Sequence, residues 1–234
     1  STYGQEVKDM FFLDTELEVD EAIVKADTRE IGDVLADEAV GAVRSNIIHL
    51  GSQIWYGTTA DAKGFVGLSS QIQDEVTAGG ATTACSAYLL WLDPQGVQLS
   101  VGRDGKLEMA PWAKQQVVKS ATTKAMAWVS NLSAYFGLSV HSAYAVYRVK
   151  LIDATHSMTD ALGAELLSKV PVARRGNLRW FMNRRGSYLL QKSRTAIAQQ
   201  PAGGGGQPAF APQPTECMGI PITTTDSLTD TETT

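Results

Sequence analysis

The stretch from Asp27 to Gly57 is the feature that most constrains what this chain can fold into. Its apolar residues recur every three to four positions, which is the period of one face of an α-helix. They are Ile31, Leu35, Ala39, Val43, Ile47, Leu50 and Ile54. Asp27 and Glu30 have the spacing of a capping box, and Gly57 suits a helix end. The pattern predicts one helix over residues 28–56, roughly 43 Å long at about 1.5 Å per residue.

A helix of this length is far above the average of about 11–12 residues in globular proteins. A small globular domain does not need such a rod, whereas a subunit that tiles a larger surface does. An ordinary long core helix is the simpler interpretation of this stretch taken alone. Only the rest of the chain can distinguish a core helix from the rod of a subunit that tiles a larger surface.

The bulk composition describes a packed protein rather than a membrane span or a disordered chain. The 234 residues are 44% hydrophobic, enough for one moderately complex domain or two small ones. Because no run of about 18 apolar residues occurs, we expect no membrane helix. No charged and then apolar leader opens the sequence, so nothing in it indicates secretion. Cys85 and Cys217 do not form a CxxC pair, and we expect buried thiols in a reducing compartment.

Charge is distributed unevenly along the chain, although the net charge is only -5. Residues 1–38 hold twelve acidic and three basic side chains, a balance of -9. Residues 144–194 hold ten basic and three acidic side chains, a balance of +7. Two such regions attract each other within a subunit or between copies of it, unless both are simply solvated. The net charge argues against a nucleic-acid binder that works through its overall field.

Two groups of charged residues are therefore candidates for contacts between subunits or with nucleic acid. The basic candidates are Arg174, Arg175, Arg179, Arg184 and Arg185. The acidic candidates are Glu16, Glu18, Asp20 and Glu21. Arginine binds both carboxylates and phosphates, so the basic group fits a neighbouring subunit or a phosphate backbone. Scattered solvent exposure is the alternative for both groups.

The other elements are predicted from alternation, turn residues and helical spacing. Residues 1–26 are expected to form one or two strands with an acidic, solvated side, continuing through Ile23 and Val24. Residues 86–101 are expected to form a hairpin around the turn at 93–96, and residues 124–154 a strand region broken at Gly137. Further predictions are a helix at 157–169, a strand at 178–182, a helix within 183–198, a flexible loop at 199–214, a β-prone segment at 219–228 and a frayed tail from Thr229.

Catalytic and cofactor signatures are missing from the sequence. The three histidines, His49, His141 and His156, have no metal-ligand spacing, and no phosphate-binding glycine loop or GxSxG elbow occurs. We therefore predict no catalytic residue, metal or cofactor. A soluble hydrolase that uses one of the three histidines is retained as an alternative.

Five stretches carry a resemblance to a known family. They are VDEAIVKADTRE leading into the long helix and IWYGTTADAKGFVGL, then SAYLLWLDPQGVQLSVGRDG after a glycine pair, AWVSNLSAYFGLSVHSAYAVYRVKLIDA, LRWFMNRRGSYLLQKSR and GIPITTTDSLTDTE. In this order they resemble the major capsid proteins of tailed bacteriophages with the Hong Kong 97-type fold. Each motif alone is weak, but the five in order span nearly the whole chain.

The resemblance implies an α+β fold with a long spine helix, an antiparallel peripheral sheet and an axial domain. It places the peripheral part at 1–150, the axial part at 151–226 and a tail at 227–234. The implied function is a head protein whose pentamers and hexamers form an icosahedral-type shell around double-stranded DNA in the virion, assembled in the host cytoplasm. Portal, decoration or scaffolding proteins are implied partners. A nanocompartment shell resembling the encapsulins, which encloses enzymes, is the alternative.

One departure from the family concerns the part of the chain before the helix. Family members carry an N-terminal arm and an extended loop there, whereas only 27 residues precede the predicted helix. Processing, an incomplete sequence or a reduced form each account for this difference. We therefore assign no covalent crosslink.

Overall fold

The computed structural model describes residues 10–102, 107–119, 124–198 and 210–233 of the chain. The chain divides into two compact units. Unit 1 comprises Ser1–Ile54, Thr58–Phe65 and Leu99–Leu138, and unit 2 comprises Trp55–Gly57, Val66–Gln98 and Ser139–Thr234. The boundary predicted at residue 150 falls inside unit 2, so the compact units and the predicted domains are divided differently. The assignment of a peripheral and an axial part stays a prediction.

Unit 1 is built on a sheet whose central strand is β7 (Lys124–Val140). Strand β1 (Phe11–Asp20) pairs with it in antiparallel register, from Phe11 opposite Phe136 to Asp20 opposite Ala127. The other strands that pair with β7 are β4 (Val97–Val101), β5 (Glu108–Met109) and β6 (Ala113–Val118). Buried and exposed residues alternate along most of β1, which confirms the predicted strand with an acidic, solvent-facing side.

Two details of this region differ from the prediction. Residues Glu21–Ala26 form a short helix, α1, because the carboxylate of Asp20 caps it by accepting a hydrogen bond from the Ala22 amide at 2.8 Å. The predicted strand break at Gly137 is wrong, since this buried glycine lies inside the continuous 17-residue strand β7.

The predicted long helix is confirmed as α2 (Ile31–Tyr56), which packs along β1 in unit 1. Leu35 shares a buried cluster with Val19, near one end of the strand. Further along, the Thr15 hydroxyl donates to Asn46 Oδ1 at 2.9 Å, and the rings of Phe11 and His49 lie 6.2 Å apart. Strand numbers fall as helix numbers rise, so α2 and β1 run antiparallel.

The ends of α2 follow the prediction at one end only. Gly57 adopts a φ of 57°, a left-handed conformation that suits glycine, and the helix ends there as expected. The predicted capping box is wrong, because the Asp27 carboxylate accepts from the amide of Arg29, which precedes the helix. The carbonyl of Glu30 instead accepts from the amides of Asp33 and Val34.

The core-facing side of α2 is also not the predicted apolar stripe. The buried positions of the helix are Leu35, Asn46, Gln53 and Trp55. Gln53 is fully buried, and its side-chain amide donates to the Phe65 carbonyl at 3.1 Å. Ile47, predicted to be in the core, is exposed. Because the polar residues Asn46 and Gln53 are buried, the apolar spacing of the sequence indicated a different side of the helix from the one that is packed.

Unit 2 is built on a mixed sheet with β3 (Thr83–Trp91) near its centre. The strand order is β10 (Glu216–Cys217), β11 (Ile220–Thr224), β9 (Leu178–Met182), β3, β8 (Val146–Ile152) and β2 (Asp74–Thr77), with β12 (Glu232–Thr233) also paired to β3. The β11–β9 and β2–β8 pairs are parallel, and the others are antiparallel. The predicted strand at 178–182 is confirmed.

The predicted hairpin over residues 86–101 is wrong, although its turn forms. The Gly96 amide donates to the Asp93 carbonyl at 2.8 Å, and the Gln95 amide donates to Asp93 Oδ1 at 3.0 Å. The strands on either side of this turn belong to different sheets, because β3 pairs with β8 and β9 whereas β4 pairs with β7. Residues 84–91 are all buried, which requires neighbours on both edges and both faces.

Two helices of unit 2 confirm the helical predictions near the end of the chain. Helix α3 (Asp160–Lys169) is capped by the Thr159 hydroxyl, which accepts from the Leu162 amide, and it contacts β2 and β8. Helix α4 (Arg184–Ala198) contacts β3 and β9. Residues 199–209 of the predicted loop lie outside the described residues, and residues 210–214 form neither helix nor strand.

The prediction of a frayed tail from Thr229 is wrong for residues 229–233. The Thr229 amide donates to the Tyr56 hydroxyl at 2.8 Å, and β12 pairs with the start of β3. Glu232 is only 6% exposed, and its carboxylate accepts hydrogen bonds from the hydroxyls of Tyr56 at 2.9 Å and Tyr88 at 3.1 Å. This segment is therefore part of the packed structure of unit 2.

Candidate contact surfaces

The acidic candidates lie along β1 and at the start of α1, in unit 1. Glu18 forms an ion pair with Lys119, and Glu21 forms ion pairs with Lys114 at 2.5 Å and Lys25 at 2.7 Å. Hydrogen bonds from these two lysines lower the pKa of Glu21. Asp20 is used as the cap of α1.

Glu16 is the acidic candidate that remains available to a partner. It lies on the exposed side of β1, opposite Asn131 of β7. Within residues 10–102, 107–119, 124–198 and 210–233 its carboxylate makes no ion pair. The Glu16 carboxylate is therefore exposed and is not used in an ion pair inside these ranges.

Two of the five arginine candidates have structural roles in unit 2. The Arg174 guanidinium lies over the rings of Trp91 at 4.8 Å and Tyr144 at 5.3 Å, and it donates to the Ser142 hydroxyl. Arg175 donates to the carbonyls of Leu167 and Val170 at the carboxyl end of α3. A cation in this position satisfies free carbonyls and interacts favourably with the helix dipole.

The other three arginines lie on the surface around the β9–α4 connection. Arg179 projects from β9 and donates to the Thr223 hydroxyl at 3.3 Å. Arg184 forms an ion pair at 2.7 Å with Asp226, in which the side chains are 82% and 73% exposed. Arg185 is exposed in the first turn of α4. The predicted basic group thus splits into two packed arginines and three open ones.

Among the residues that the structure describes, no catalytic constellation forms around the histidines. His49 Nε2 lies 3.4 Å from Asp61 Oδ2, and His156 Nδ1 lies 3.3 Å from Asp153 Oδ1, both partly exposed to solvent. The described part of the chain contains no group of three or more His, Cys, Asp or Glu residues arranged to hold a metal ion.

The two cysteine thiols are buried in unit 2. Burial raises the pKa of Cys85 to about 11 and that of Cys217 to about 12. Thiolates are the reactive form, so neither cysteine is poised as a nucleophile.

An apolar surface on α2 is a feature that sequence reasoning missed. Val40, Ile47 and Ile48 are 68%, 61% and 62% exposed, and they line a shallow groove with Ala39, Val43 and Arg44. The spacing of these residues was visible in the sequence. Which apolar positions would face β1 was not, because Asn46 and Gln53 take places on the buried side.

The comparison with protein-family models decides what kind of protein this is. The model described as major capsid protein GP7 matches residues 1–234, the whole of the sequence. The chain belongs to the major capsid protein GP7 family. A search of the curated proteins found no matching sequence.

A solved structure supports the same fold for this capsid protein. A chain of the near-atomic structure of bacteriophage Epsilon15 matches with a TM-score of 0.65 and 16% sequence identity. The match covers 99% of this chain and 79% of that chain. The predicted Hong Kong 97-type capsid fold, with a spine helix and antiparallel strand pairs, is confirmed.

The family fixes the general role of the chain. It is a phage capsid subunit, it assembles with copies of itself into a shell, and it is located in the virion. The family is structural rather than enzymatic, so the hydrolase alternative is excluded. No helix in the described residues is long and apolar enough to cross a bilayer.

Proposed function

We propose that copies of this capsid subunit form the pentamers and hexamers of an icosahedral-type shell that encloses packaged double-stranded DNA. The match of the capsid family over all 234 residues carries the proposal. The DNA is enclosed without sequence specificity, because contacts between arginines and phosphates carry no information about the bases. Assembly takes place in the host cytoplasm, with a portal and, where present, scaffolding or decoration proteins as partners.

The open arginines support contacts with anions outside the subunit. Arg184 and Arg185 occupy the first turn of α4, where the helix dipole is positive and a cation costs about 0.3–1 kcal/mol. Asp226 offsets this cost for Arg184. Arg185 and Arg179 are placed to bind carboxylates of a neighbouring subunit or DNA phosphates, and Glu16 is the matching acidic contact.

We assign the peripheral role to unit 1 and the axial role to unit 2. Unit 1 contains most of the spine helix and the antiparallel sheet, the two features that the resemblance places in the peripheral part. Unit 2 contains α3 and α4 of the predicted axial part. This assignment moves residues 55–57, 66–98 and 139–150 from the peripheral to the axial part.

Electron microscopy of purified particles tests the proposal directly. Expression in a host cell should yield closed shells with five-fold and six-fold capsomers, and virions should contain nuclease-resistant double-stranded DNA. Persistent monomers at every salt and protein concentration would overturn the shell. Particles purified from the native source that enclose protein and no DNA would support the nanocompartment alternative.

A further inference from the structure

Helix α2 has a second apolar side, rotated away from the side that packs on β1. At about 100° per residue, Leu35, Asn46 and Gln53 share one direction, within roughly 20° of each other. Val40 and Ile47 point roughly 120–140° away from that direction. Among the described residues, one side of α2 is therefore covered and the other is exposed.

This second side is a continuous apolar surface with one charged member. It is lined by Ala39, Val40, Val43, Arg44, Ile47 and Ile48. A contiguous group of exposed apolar side chains, unlike apolar residues scattered singly, is typical of an interaction surface. Stable interfaces use about 20–30 residues on each side, so these six residues alone do not hold an isolated dimer.

The apolar surface of the described residues is concentrated in the unit that carries this helix. Of the large hydrophobic side chains that are exposed, 14 lie in unit 1 and 7 in unit 2. They include Phe12, which stacks on Tyr135 with ring centroids 4.5 Å apart, and Val118 and Met126 on β6 and β7. A second copy can therefore supply apolar side chains to the α2 surface from a different part of unit 1.

We propose that a second copy of this chain covers the Ala39–Ile48 face of α2 in the assembled shell. The proposal rests on the shell-forming function. The contact joins different surfaces on the two copies, which is the kind of contact that closes rings. Each such contact is weak, and a shell gains stability by repeating it at every subunit.

Single-cysteine labelling tests the proposal. The sequence contains two cysteines, and both are fully buried, so Val40→Cys introduces a thiol that is far more accessible than the native ones. A maleimide should label it rapidly in free subunits and at least tenfold more slowly in particles reassembled from purified protein. Crosslinking from the same position should join two copies of the chain, as identified by mass spectrometry.

Ser45→Cys is the matched control, because Ser45 is exposed on α2 and points away from the apolar face. It should be labelled at similar rates in subunits and particles. Equal labelling of Val40→Cys in both states would overturn the proposal. Protection already present in free subunits would also overturn it, since the subunit's own chain would then cover the face. If Val40→Cys were protected from labelling only when another phage protein is present, the proposal would also be overturned.

A charged substitution separates this inference from the function on which it rests. Ile47→Asp should leave the circular dichroism and melting temperature of the free subunit unchanged, because Ile47 is exposed there. It should raise the protein concentration needed for assembly at least tenfold, whereas Ser45→Asp should not. If wild-type protein forms no shells, the proposed function fails. If wild type and Ile47→Asp assemble equally well, only the α2 contact is refuted.

Discussion

At the scale of single residues, the carboxylate of Glu232 is the contact that fixes the end of the described chain. It accepts hydrogen bonds from Tyr56 and from Tyr88, which is fully buried. Glu232→Ala removes a charged acceptor and leaves the Tyr88 hydroxyl buried without this partner. Because hydrogen bonds to charged groups contribute about 1.5–3 kcal/mol, the free energy of unfolding should fall by about 2–3 kcal/mol, measured by urea unfolding of the free subunit.

Asp226→Ala is the control for this prediction. It removes the ion pair with Arg184, in which both side chains are mostly exposed. Surface pairs of this kind contribute about 0–1 kcal/mol, so the urea midpoint should barely move. Equal losses of unfolding free energy for Asp226→Ala and Glu232→Ala would mean that the buried Glu232 carboxylate stabilises the subunit no more than an exposed ion pair does.

Asp153 gives the subunit a pH-dependent contribution to stability. Its carboxylate accepts hydrogen bonds from the amides of His156, Ala81 and Thr155, which lower its pKa to about 2. A carboxyl group whose pKa is depressed in the folded state stabilises it fully above the unfolded pKa of about 4. That contribution is lost as the pH falls through about 2.

The replacement Asp153→Asn tests this effect, because asparagine keeps an oxygen acceptor without the charge. We expect the variant to have a lower urea midpoint than wild type at pH 7. The difference should shrink as the pH is lowered from 4 towards 2, because wild type then loses its carboxylate. A difference in urea midpoint that stays constant over this pH range would show that the ionised Asp153 carboxylate is not the stabilising group.

The nine charged candidates show what single residues in a sequence can and cannot reveal. Their clustering was visible, but the sequence does not tell that Arg174 stacks between Trp91 and Tyr144 or that Arg175 caps α3. Both partners of Arg174 lie at least 30 positions away in the chain. Such contacts are set by tertiary packing, and no local pattern distinguishes a packed arginine from an open one.

At the scale of elements, local signals predicted the longer helices α2, α3 and α4, but they missed α1 and did not predict which side of α2 is buried. Helix α2 was predicted within a few residues because its apolar period and its glycine stop are local. Its buried side was mispredicted because Asn46 and Gln53 find hydrogen-bond partners across the fold. The pairing of β3 was mispredicted for a similar reason, since its neighbours β8 and β9 are distant in sequence.

Helix α3 offers a test of close packing between elements. A Cβ atom on Gly163 would lie 2.7 Å from Sγ of the buried Cys217. Although alanine gains about 1 kcal/mol of helix propensity over glycine, overpacking costs about 1–3 kcal/mol. We expect Gly163→Ala to lower the free energy of unfolding by about 1 kcal/mol, and to raise it by about 0.5–1 kcal/mol in a Cys217→Ala background.

Gly41→Ala in α2 is the matched control for the Gly163 experiment. Apart from the neighbouring helix backbone, no atom of the described residues lies within 4 Å of a Cβ built at Gly41, so only the propensity gain applies. The free subunit should become more stable by about 0.5–1 kcal/mol in chemical denaturation. If Gly163→Ala and Gly41→Ala stabilised equally, the helix would have to shift away from Cys217 at no cost.

At the scale of the whole molecule, part of the opposing charge in the sequence is used within each unit, as the described residues show. In unit 1, Glu18 and Glu21 pair with lysines of the same unit. In unit 2, Glu75 binds Arg148 and Lys150, and Asp160 binds Arg194. The charge asymmetry of -9 against +7 therefore overstates what remains for contacts between copies. We therefore expect contacts between copies to combine the remaining open charges with apolar surface.

This division of charges predicts two separable classes of variant. Glu21→Gln breaks contacts within unit 1 and should lower the melting temperature of the free subunit slightly, with little effect on assembly.

Arg185→Gln alters an open side chain and should leave the subunit melting temperature unchanged while raising the concentration needed for assembly several-fold at low salt. High salt should reduce the difference between wild type and Arg185→Gln, because a Debye length of about 3 Å at 1 M screens exposed charges. Light scattering during assembly, with melting curves of the same samples, measures both effects. If Arg185→Gln changed the melting temperature and left assembly intact, the open arginine would be a structural residue and the contacts between copies would be apolar alone.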